Sequence, residues 1–272
     1  MQEYNKYMKN RVVLIALSVL MFCAAIGITV YFFWANGYMK PATEPAPTAS
    51  YDTITYPSFE SDTIENIVNT DQTDETSPEE TIPTVDFESL QAANPDIIGW
   101  IYMENPAISL PILRSPTDDT YYLYHDPEGN YSKSGSLFVE HEYNSADFSD
   151  PCTVISGHRM SDGGMFGILQ GVCQEETYFD EPQYIVIFTP NGQKVSQIFA
   201  IACTDKEHIL LENDFTDPDE YNAFIDSIYA DNTIGYTQLE DLKPTSDDNI
   251  LILSTCLWGD RFQRFLVLAV EI

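Results

Sequence analysis

The sequence predicts a mainly-β domain in which about eight short strands close into a barrel with inserted helices, preceded by one N-terminal transmembrane helix. Two observations carry this prediction. Short apolar runs rich in β-branched residues follow one another at even spacing, separated by turn residues, which is typical of a closed barrel. Ahead of them, the 23 residues from Val12 to Trp34 carry no charge, and roughly 20 such residues span a bilayer.

The uncharged segment 12–34 is preceded by Lys6, Lys9 and Arg11. Because positively charged flanks stay on the cytoplasmic side, we expect residues 1–11 in the cytoplasm and the chain after the anchor outside the cell. A cleaved signal peptide is the alternative, but its apolar core usually has only about 7–15 residues. The sequence therefore favours an uncleaved, single-pass anchor in the cell membrane.

The segment that follows has the composition of a solvated linker. From Pro41 to Glu88 the chain holds twelve acidic residues, six prolines and no Lys or Arg. Such a segment has little apolar surface to bury, and its like charges repel one another. We therefore assign residues 35–85 to an acidic linker and residues 86–272 to the folded domain. A docking tail for a cationic partner is the alternative reading of the linker.

The folded domain begins at Asp86, whose side chain can cap a short helix that contains Phe87 and Leu90. A series of strand-like runs comes next. The dipeptide Asn191-Gly192 separates two of these runs and predicts a two-residue hairpin. The predicted strands are Ile97–Met103, Ile108–Leu113, Tyr121–Tyr124, Ser136–Val139, Thr153–Ser156, Tyr184–Phe188, Val195–Cys203, Ile250–Leu253 and Phe265–Val270.

Two helices are predicted between the strands, a short one near Met165–Val172 and a longer one at Pro218–Tyr229. Asp217 can cap the longer helix, proline suits its first position, and Glu220 stands three residues after the cap. One stripe of this helix is apolar, so it should pack on the barrel. The stripe comprises Tyr221, Phe224, Ile225 and Ile228.

Charge and cysteine content exclude several functions. The formal net charge of −31 argues against nucleic acid and anionic membrane surfaces as partners, because phosphate binding relies on clustered Lys and Arg. The five cysteines are odd in number and widely spaced, so neither a disulfide framework nor a zinc site is indicated, and we expect no metal or cofactor. Three cysteines are expected to be buried structural residues. These are Cys152, Cys173 and Cys203.

The candidate chemistry lies in the last 24 residues of the chain. Cys256 ends one apolar run and Arg264 precedes the next, so both should meet at one edge of the sheet. A thiolate can attack a carbonyl there, while a fixed cation stabilises the charge on the carbonyl oxygen. The acid/base for such chemistry is normally a histidine. His158 is the candidate because it follows an apolar strand and precedes a Gly-rich loop, whereas His125 and His141 lie among polar residues and are expected at the surface.

Three motifs occur together around these residues. They are Leu253–Cys256 (LSTC) with Arg264 after a short loop, Ser156–Met160 (SGHRM) and Asp162–Gly167 (DGGMFG). In this combination, the chain from about residue 87 to residue 272 resembles the sortases, and specifically class B.

The sequence departs from the class B pattern in two places. Arg159 stands where class B members usually have Asn. Trp258, Gly259 and Asp260 occupy a loop that more commonly holds a Tyr-containing acidic stretch. Neither departure touches the three candidate catalytic positions, so both concern loop shape and substrate fit.

The resemblance implies a sortase-type barrel and a cysteine transpeptidase, a combined hydrolase and acyltransferase. In this sequence it implies Cys256 as the nucleophile, His158 as the general acid/base and Arg264 as the cation that holds the oxyanion or positions the substrate. Ser254 and Leu123 match positions that line the family's substrate groove.

The resemblance also implies the partners. These are secreted proteins whose C-terminal sorting motif is cleaved through a thioacyl intermediate, and an amine acceptor on a peptidoglycan precursor or on a pilin. Three alternatives to wall anchoring stay open: a pilin-polymerising sortase, a cysteine protease that uses water as acceptor, and a non-catalytic wall-binding module in which Cys256 is structural.

Overall fold

The computed structural model describes residues 54–60, 63–70, 84–205, 208–230 and 238–272. All of them belong to the unit Ala42–Ile272. The predicted cytoplasmic segment 1–11 and transmembrane segment 12–34 lie outside the described residues. Among the helices within the described ranges, none is both long and apolar enough to cross a membrane.

Eight strands close into a barrel, as the sequence predicts. They are β1 Ile97–Met103, β2 Ile108–Leu113, β3 Leu137–Phe138, β4 Cys152–Ser156, β5 Tyr184–Thr189, β6 Gly192–Thr204, β7 Ile250–Leu257 and β8 Asp260–Glu271. Around the barrel their order is β1-β2-β3-β4-β7-β8-β6-β5, and β5 pairs with β1 to close it. The β2–β3 and β4–β7 pairs are parallel, and the other pairs are antiparallel.

Both faces of the barrel strands are buried, which explains why the strands read as continuous apolar runs. In β7, Leu251 and Leu253 belong to the core inside the barrel. Ile250 and Ile252 alternate with them and pack in a second cluster on the outer face. A third cluster covers the outer face around Trp100 of β1. The core is therefore three-layered, with the barrel interior between two outer clusters.

Five α-helices lie among the described residues. They are α1 Thr63–Thr70, α2 Phe87–Ala93, α3 Leu169–Val172, α4 Ile209–Glu212 and α5 Pro218–Ala230. The predicted cap of α2 is confirmed, because Asp86 Oδ1 accepts a hydrogen bond from the amide of Ser89 at 3.0 Å. The predicted capping box of α5 is replaced by another contact: Glu220 Oε2 accepts from the amide of Asp214 at 2.8 Å. The apolar stripe of α5 is buried as predicted.

One predicted strand is wrong. Tyr121–Leu123 forms a 3₁₀ turn, in which the amide of Leu123 donates to the carbonyl of Thr120. The reason is local, because Asp118 Oδ1 accepts from the Thr120 amide at 2.9 Å and so favours a turn over an extended backbone. The hydroxyl of Tyr122 then donates to Asp96 Oδ2 at 2.7 Å, which anchors the turn to the start of β1.

The β5–β6 and β7–β8 connections are both tight hairpins, and the first turns one residue earlier than the predicted Asn191-Gly192. The β5–β6 hairpin turns at Pro190 and Asn191, and Gly192 takes the positive φ of 141° that follows. Strands β7 and β8 extend beyond their apolar runs to a turn at Trp258 and Gly259, where Gly259 has a φ of 87°. Cys256 and Arg264 therefore lie inside paired strands, near the turn, and not in a loop between them.

The segment predicted to be a solvated linker is folded in part. Residues 54–60 and the helix α1 pack on the outer face of β1 and β5, with Ile54, Ile64 and Ile67 buried. The ring of Phe59 stacks on Tyr102 with centroids 4.2 Å apart. The prediction of a solvated linker is wrong for these residues. The segment is acidic, but its few apolar side chains pack on an apolar face of the sheet and are buried there.

This packing predicts that the N-terminal segment stabilises the barrel. A chain that begins at residue 84 would expose the apolar faces that Ile54, Ile64 and Ile67 cover, at a cost of about 2 kcal/mol or more. We expect its melting temperature to lie roughly 4–8 °C below that of a chain beginning at residue 42. Thermal unfolding followed by circular dichroism measures the difference. Equal melting temperatures would show that the segment contributes nothing to the stability of the barrel.

Candidate active site

Two strand pairings bring the three candidate catalytic residues to one edge of the barrel. Strands β4 and β7 run parallel with Ser156 beside Ser254, so His158 and Cys256 both follow two residues further along. Strands β7 and β8 run antiparallel, and Cys256 is directly opposite Arg264. The backbone register alone therefore gathers side chains that are far apart in sequence.

These side chains line one cavity of about 300 Å³. Arg264 Nη1 lies 3.6 Å from Cys256 Sγ, close enough to donate a hydrogen bond to sulfur. His158, Cys256 and Arg264 are each partly exposed, so a substrate can reach them. Ser254 and Leu123, the two positions predicted to bind substrate, line the same cavity. The structure thus brings together all five residues singled out in the sequence.

The imidazole of His158 is held by the 3₁₀ turn. Its Nε2 lies 2.8 Å from the carbonyl oxygen of Leu123. Since a carbonyl oxygen only accepts hydrogen bonds, Nε2 carries the proton and Nδ1 remains available for proton exchange. Leu123 therefore contributes a backbone carbonyl that orients the histidine, a role that its side-chain type could not reveal.

The cavity lies where the outer face of the barrel changes from apolar to polar. Ile250 and Ile252 of β7 are covered by the apolar stripe of α5. Ser254 and Cys256 continue the same face, because side chains two residues apart in a strand point the same way, and they border the cavity. Ile209, at the start of α4, forms part of the opposite wall.

No protein-family model matches the sequence. Among curated proteins, sortase B of Listeria monocytogenes is 29% identical over 171 residues, which cover 63% of this chain and 67% of that protein. Sortase B of Staphylococcus aureus is 27% identical over 185 residues, which cover 67% of this chain and 73% of that protein.

Solved structures show the same similarity. Sortase B from Bacillus anthracis superimposes with a TM-score of 0.59 and 28% identity, covering 68% of this chain and 83% of that chain. A Streptococcus pyogenes class B sortase involved in pilus biogenesis gives a TM-score of 0.57 and 26% identity, covering 69% and 98%. The class B sortases are thus homologues of this chain in both sequence and fold. This homology supports a cysteine transpeptidase.

The β7–β8 hairpin that carries Cys256 is held by the side-chain amide of a buried glutamine. Gln170 in α3 is only 5% exposed, and its Oε1 accepts a hydrogen bond from the amide of Trp258 at 2.6 Å. This contact ties the β7–β8 turn to α3 and restrains the end of both strands. Sequence reasoning missed Gln170, because nothing local distinguishes a buried, bonded glutamine from an exposed one.

Sequence reasoning also missed the opposite end of the cavity. Glu140 and His208 line it and lie 2.6 Å apart, and Asp119 is bonded to His141 beside them. Burial raises the pKa of Glu140, and the neighbouring imidazole of His208 opposes that rise. The sequence-predicted surface histidines, His125 and His141, are partly exposed, and each makes a hydrogen bond.

The other described cysteines differ from Cys256 in burial. Cys152 and Cys173 are buried, and burial raises the pKa of both thiols, that of Cys173 to about 12. They are structural in this sense, as predicted, while Cys203 is partly exposed. Within the part of the chain that the structure describes, no group of three or more His, Cys, Asp or Glu side chains could hold a metal ion.

Gly135 lies beside the carbonyl that holds His158, so we expect substitution of this glycine to lower activity. A Cβ added to Gly135, whose φ is 57°, would lie 2.6 Å from the carbonyl oxygen of Leu123 and would push it away from the histidine. We expect Gly135→Ala to lower transpeptidation by roughly ten- to a hundredfold, because small misplacements of a catalytic group are costly. Turnover of a sorting-motif peptide is the measurement.

The matched control is Gly129→Ala. Gly129 also has a positive φ, 80°, but its added Cβ would meet nothing closer than 3.7 Å, so the variant carries a similar backbone strain without moving the Leu123 carbonyl. Equal activity of the two variants at equal melting temperature would mean that the position of this carbonyl does not matter.

Proposed function

We propose that this protein is a membrane-anchored class B sortase that cleaves the C-terminal sorting motif of secreted proteins and transfers them to an amine of the cell wall. The observation that carries the proposal is the arrangement of Cys256 between Arg264 on β8 and His158 beyond β4, within one cavity. A nucleophile, a cation and an acid/base in reach of one carbonyl are the parts that acyl transfer through cysteine needs.

The first half-reaction uses all three residues. The Cys256 thiol gives its proton to His158 Nδ1, and Sγ attacks the scissile carbonyl carbon and forms a C–S bond, while Arg264 stabilises the negative charge on the carbonyl oxygen. The C–N bond then breaks, and His158 gives the leaving amine a proton from Nδ1, the nitrogen that does not contact Leu123. The products are a thioacyl enzyme and a free amine.

The second half-reaction reverses these roles. An incoming amine attacks the thioester carbon and loses a proton to His158 Nδ1. The C–S bond breaks, Cys256 leaves as the thiolate, and a new amide joins the secreted protein to the acceptor. A peptidoglycan precursor is the acceptor that we favour, and no cofactor takes part in either step.

A second candidate acceptor is a pilin. The Streptococcus pyogenes relative that takes part in pilus biogenesis has the same fold, which favours this alternative. The chemistry at Cys256 would be unchanged, and only the source of the amine would differ. An amine on a protein subunit would then replace the amine of the wall precursor.

We assign residues 1–11 to the cytoplasm, 12–34 to the membrane anchor and 35–85 to a segment that connects it to the catalytic domain at 86–272. The charges of Lys6, Lys9 and Arg11 ahead of the apolar span support this orientation. Protease added to intact cells should remove the catalytic domain and leave the first residues protected. A mature N-terminus beyond Trp34 would instead indicate a cleaved signal peptide.

The function is tested by product analysis. A chain beginning at residue 42 is incubated with a library of sorting-motif peptides, with and without an amine acceptor, and the products are identified by mass. We expect product joined to the amine. Hydrolysis alone would support a cysteine protease, and no turnover with any peptide would support a wall-binding module.

The same assay tests the nucleophile and the acid/base. We expect Cys256→Ala to abolish turnover with an unchanged fold, and His158→Ala to lower it by roughly 10²–10⁴-fold, the contribution of a positioned proton donor. A peptide with a better leaving group should partly rescue the His158 variant. A Cys256→Ala protein with more than a tenth of normal turnover would rule out the assigned nucleophile.

Arg264→Lys separates charge from geometry. A guanidinium donates two parallel hydrogen bonds, whereas an ammonium is a point charge on a flexible stem. If oriented donation matters, the variant should lose on the order of 10²–10³-fold in turnover, as for removal of one oxyanion donor.

Two measurements, turnover and melting temperature, decide among the roles of Arg264. Near-normal turnover in Arg264→Lys would mean that positive charge alone suffices. A loss of turnover accompanied by a matching loss of thermal stability in both Arg264→Lys and Arg264→Ala would mean that the arginine mainly pins the β7–β8 hairpin.

A further inference from the structure

A hydrogen-bonded pair stands at the end of the cavity away from the thiol. His208 Nε2 lies 2.6 Å from Glu140 Oε2, and its other ring nitrogen, Nδ1, accepts a hydrogen bond from the amide of Leu211 at 3.0 Å. Both side chains are about three-quarters buried, with exposed fractions of 30% for His208 and 26% for Glu140. Each ring nitrogen of this histidine therefore has a defined partner.

These two bonds fix the state of the imidazole. Because a backbone amide only donates, Nδ1 is unprotonated, and Nε2 carries the proton that is donated to the carboxylate of Glu140. The ring of Tyr143 packs beside the imidazole with centroids 4.6 Å apart. His208 is thereby held in one tautomer and one orientation, which is a geometry that a ring free in solvent would not keep.

The pair joins two walls of the cavity that no strand pairing connects. His208 is the N-cap of α4, whose Ile209 and neighbour Leu210 line the cavity. Glu140 follows β3, and it is 68 residues away in sequence. The hydrogen bond therefore ties α4 to the segment that follows β3.

The register gives the offset of Glu140 from Cys256 along the strand direction. Phe138 of β3 is level with Ser156 and Ser254, Cys256 lies two residues beyond that level, and Glu140 lies two residues before it, since β3 is antiparallel to β4. Four residues of strand correspond to about 13 Å. A peptide segment of about four residues in extended conformation would span the same length.

We propose that Glu140 and His208 are positioning residues for the acyl-donor peptide: their hydrogen bond holds the α4 wall against β3 and so sets how tightly the peptide binds. The proposal rests on the proposed function. The acyl part of the peptide stays on the enzyme through both half-reactions, so it must be held along the cavity between Cys256 and Glu140. The leaving and incoming amines, in contrast, exchange at Cys256.

The neighbouring pair of Asp119 and His141 cannot replace this contact. Asp119 Oδ1 accepts from both the ring and the backbone amide of His141, and both residues precede β4 in the chain. Neither bond reaches α4. Of the two carboxylates that line the cavity among the described residues, Asp119 and Glu140, it is Glu140 whose hydrogen bond crosses to α4.

The test uses three variants that separate capping from positioning. In His208→Asn the new side chain can still cap α4, because Asn is a preferred N-cap residue, but it is too short to reach Glu140. Glu140→Ala removes the acceptor and leaves the cap intact. Glu140→Gln is the rescue variant, because its amide oxygen still accepts a hydrogen bond from Nε2–H.

We expect Glu140→Ala and His208→Asn to raise KM for the sorting-motif peptide by roughly five- to tenfold, which is typical for one lost hydrogen bond, with kcat and the KM of the amine changed less than about twofold. Glu140→Gln should stay within about twofold of the unaltered enzyme in all three constants. The control is Glu271→Ala, which breaks the pair with Lys194 on the β6 and β8 strands outside the cavity and should leave KM unchanged.

Hydrogen–deuterium exchange of residues 208–212 provides a readout that needs no turnover. Exchange should rise in Glu140→Ala and stay unchanged in Glu271→Ala. If no peptide is turned over by the unaltered enzyme, the proposed function fails, and exchange still decides whether the pair holds the wall. Unchanged exchange, a fall in kcat at constant KM, or a Glu140→Gln variant as impaired as Glu140→Ala would each overturn the positioning role.

Discussion

The parallel pairing of β4 with β7 is the constraint on which the site depends. Five consecutive residue pairs, from Cys152 beside Ile250 to Ser156 beside Ser254, set this register. A slip by one residue would exchange the two faces of β7, turning Ser254 and Cys256 into the barrel and moving Leu251 and Leu253 to the outer face. Burial of those leucines in the interior therefore holds the thiol and the histidine at one edge.

The outer cluster around Trp100 is connected to the same site by the 3₁₀ turn Tyr121–Leu123. Tyr122 is buried in the outer cluster that also contains the N-terminal isoleucines. The next residue, Leu123, offers the carbonyl that holds His158. Contacts from the acidic N-terminal segment thus continue through the 3₁₀ turn to the imidazole of His158, so the stability of that face and the order of the site are linked.

Much of the barrel could be predicted because its strands are buried on both faces and read as apolar runs. Ile97–Met103 and Ile108–Leu113 were predicted to the residue. The turn at Tyr121 was missed because aromatic residues also favour strands, and the side chain of Asp118 decided the local conformation. The fold of residues 54–60 and 63–70 was missed because its partners, such as Trp100, are distant in sequence.

The residues of the site also fall into those that local sequence predicts and those that it does not. The convergence of Cys256, His158 and Arg264 on one cavity could be predicted because each stands at or near the end of an apolar run. Gln170 and the Glu140–His208 pair could not be predicted, since their contacts join residues 88 and 68 positions apart and depend on the closed barrel. Local patterns report which faces are buried, whereas partner choice among polar side chains requires the assembled structure.

The central claim is that the sulfur held opposite Arg264 becomes acylated. The intact mass of the protein, measured after incubation with a sorting-motif peptide in the absence of an amine acceptor, tests this claim most directly. We expect a mass increase equal to the acyl part of the peptide, which maps by digestion to Cys256 and is lost on addition of an amine. Amide product formed without any adduct, or an adduct mapped to Cys203, the other partly exposed cysteine among the described residues, would contradict it.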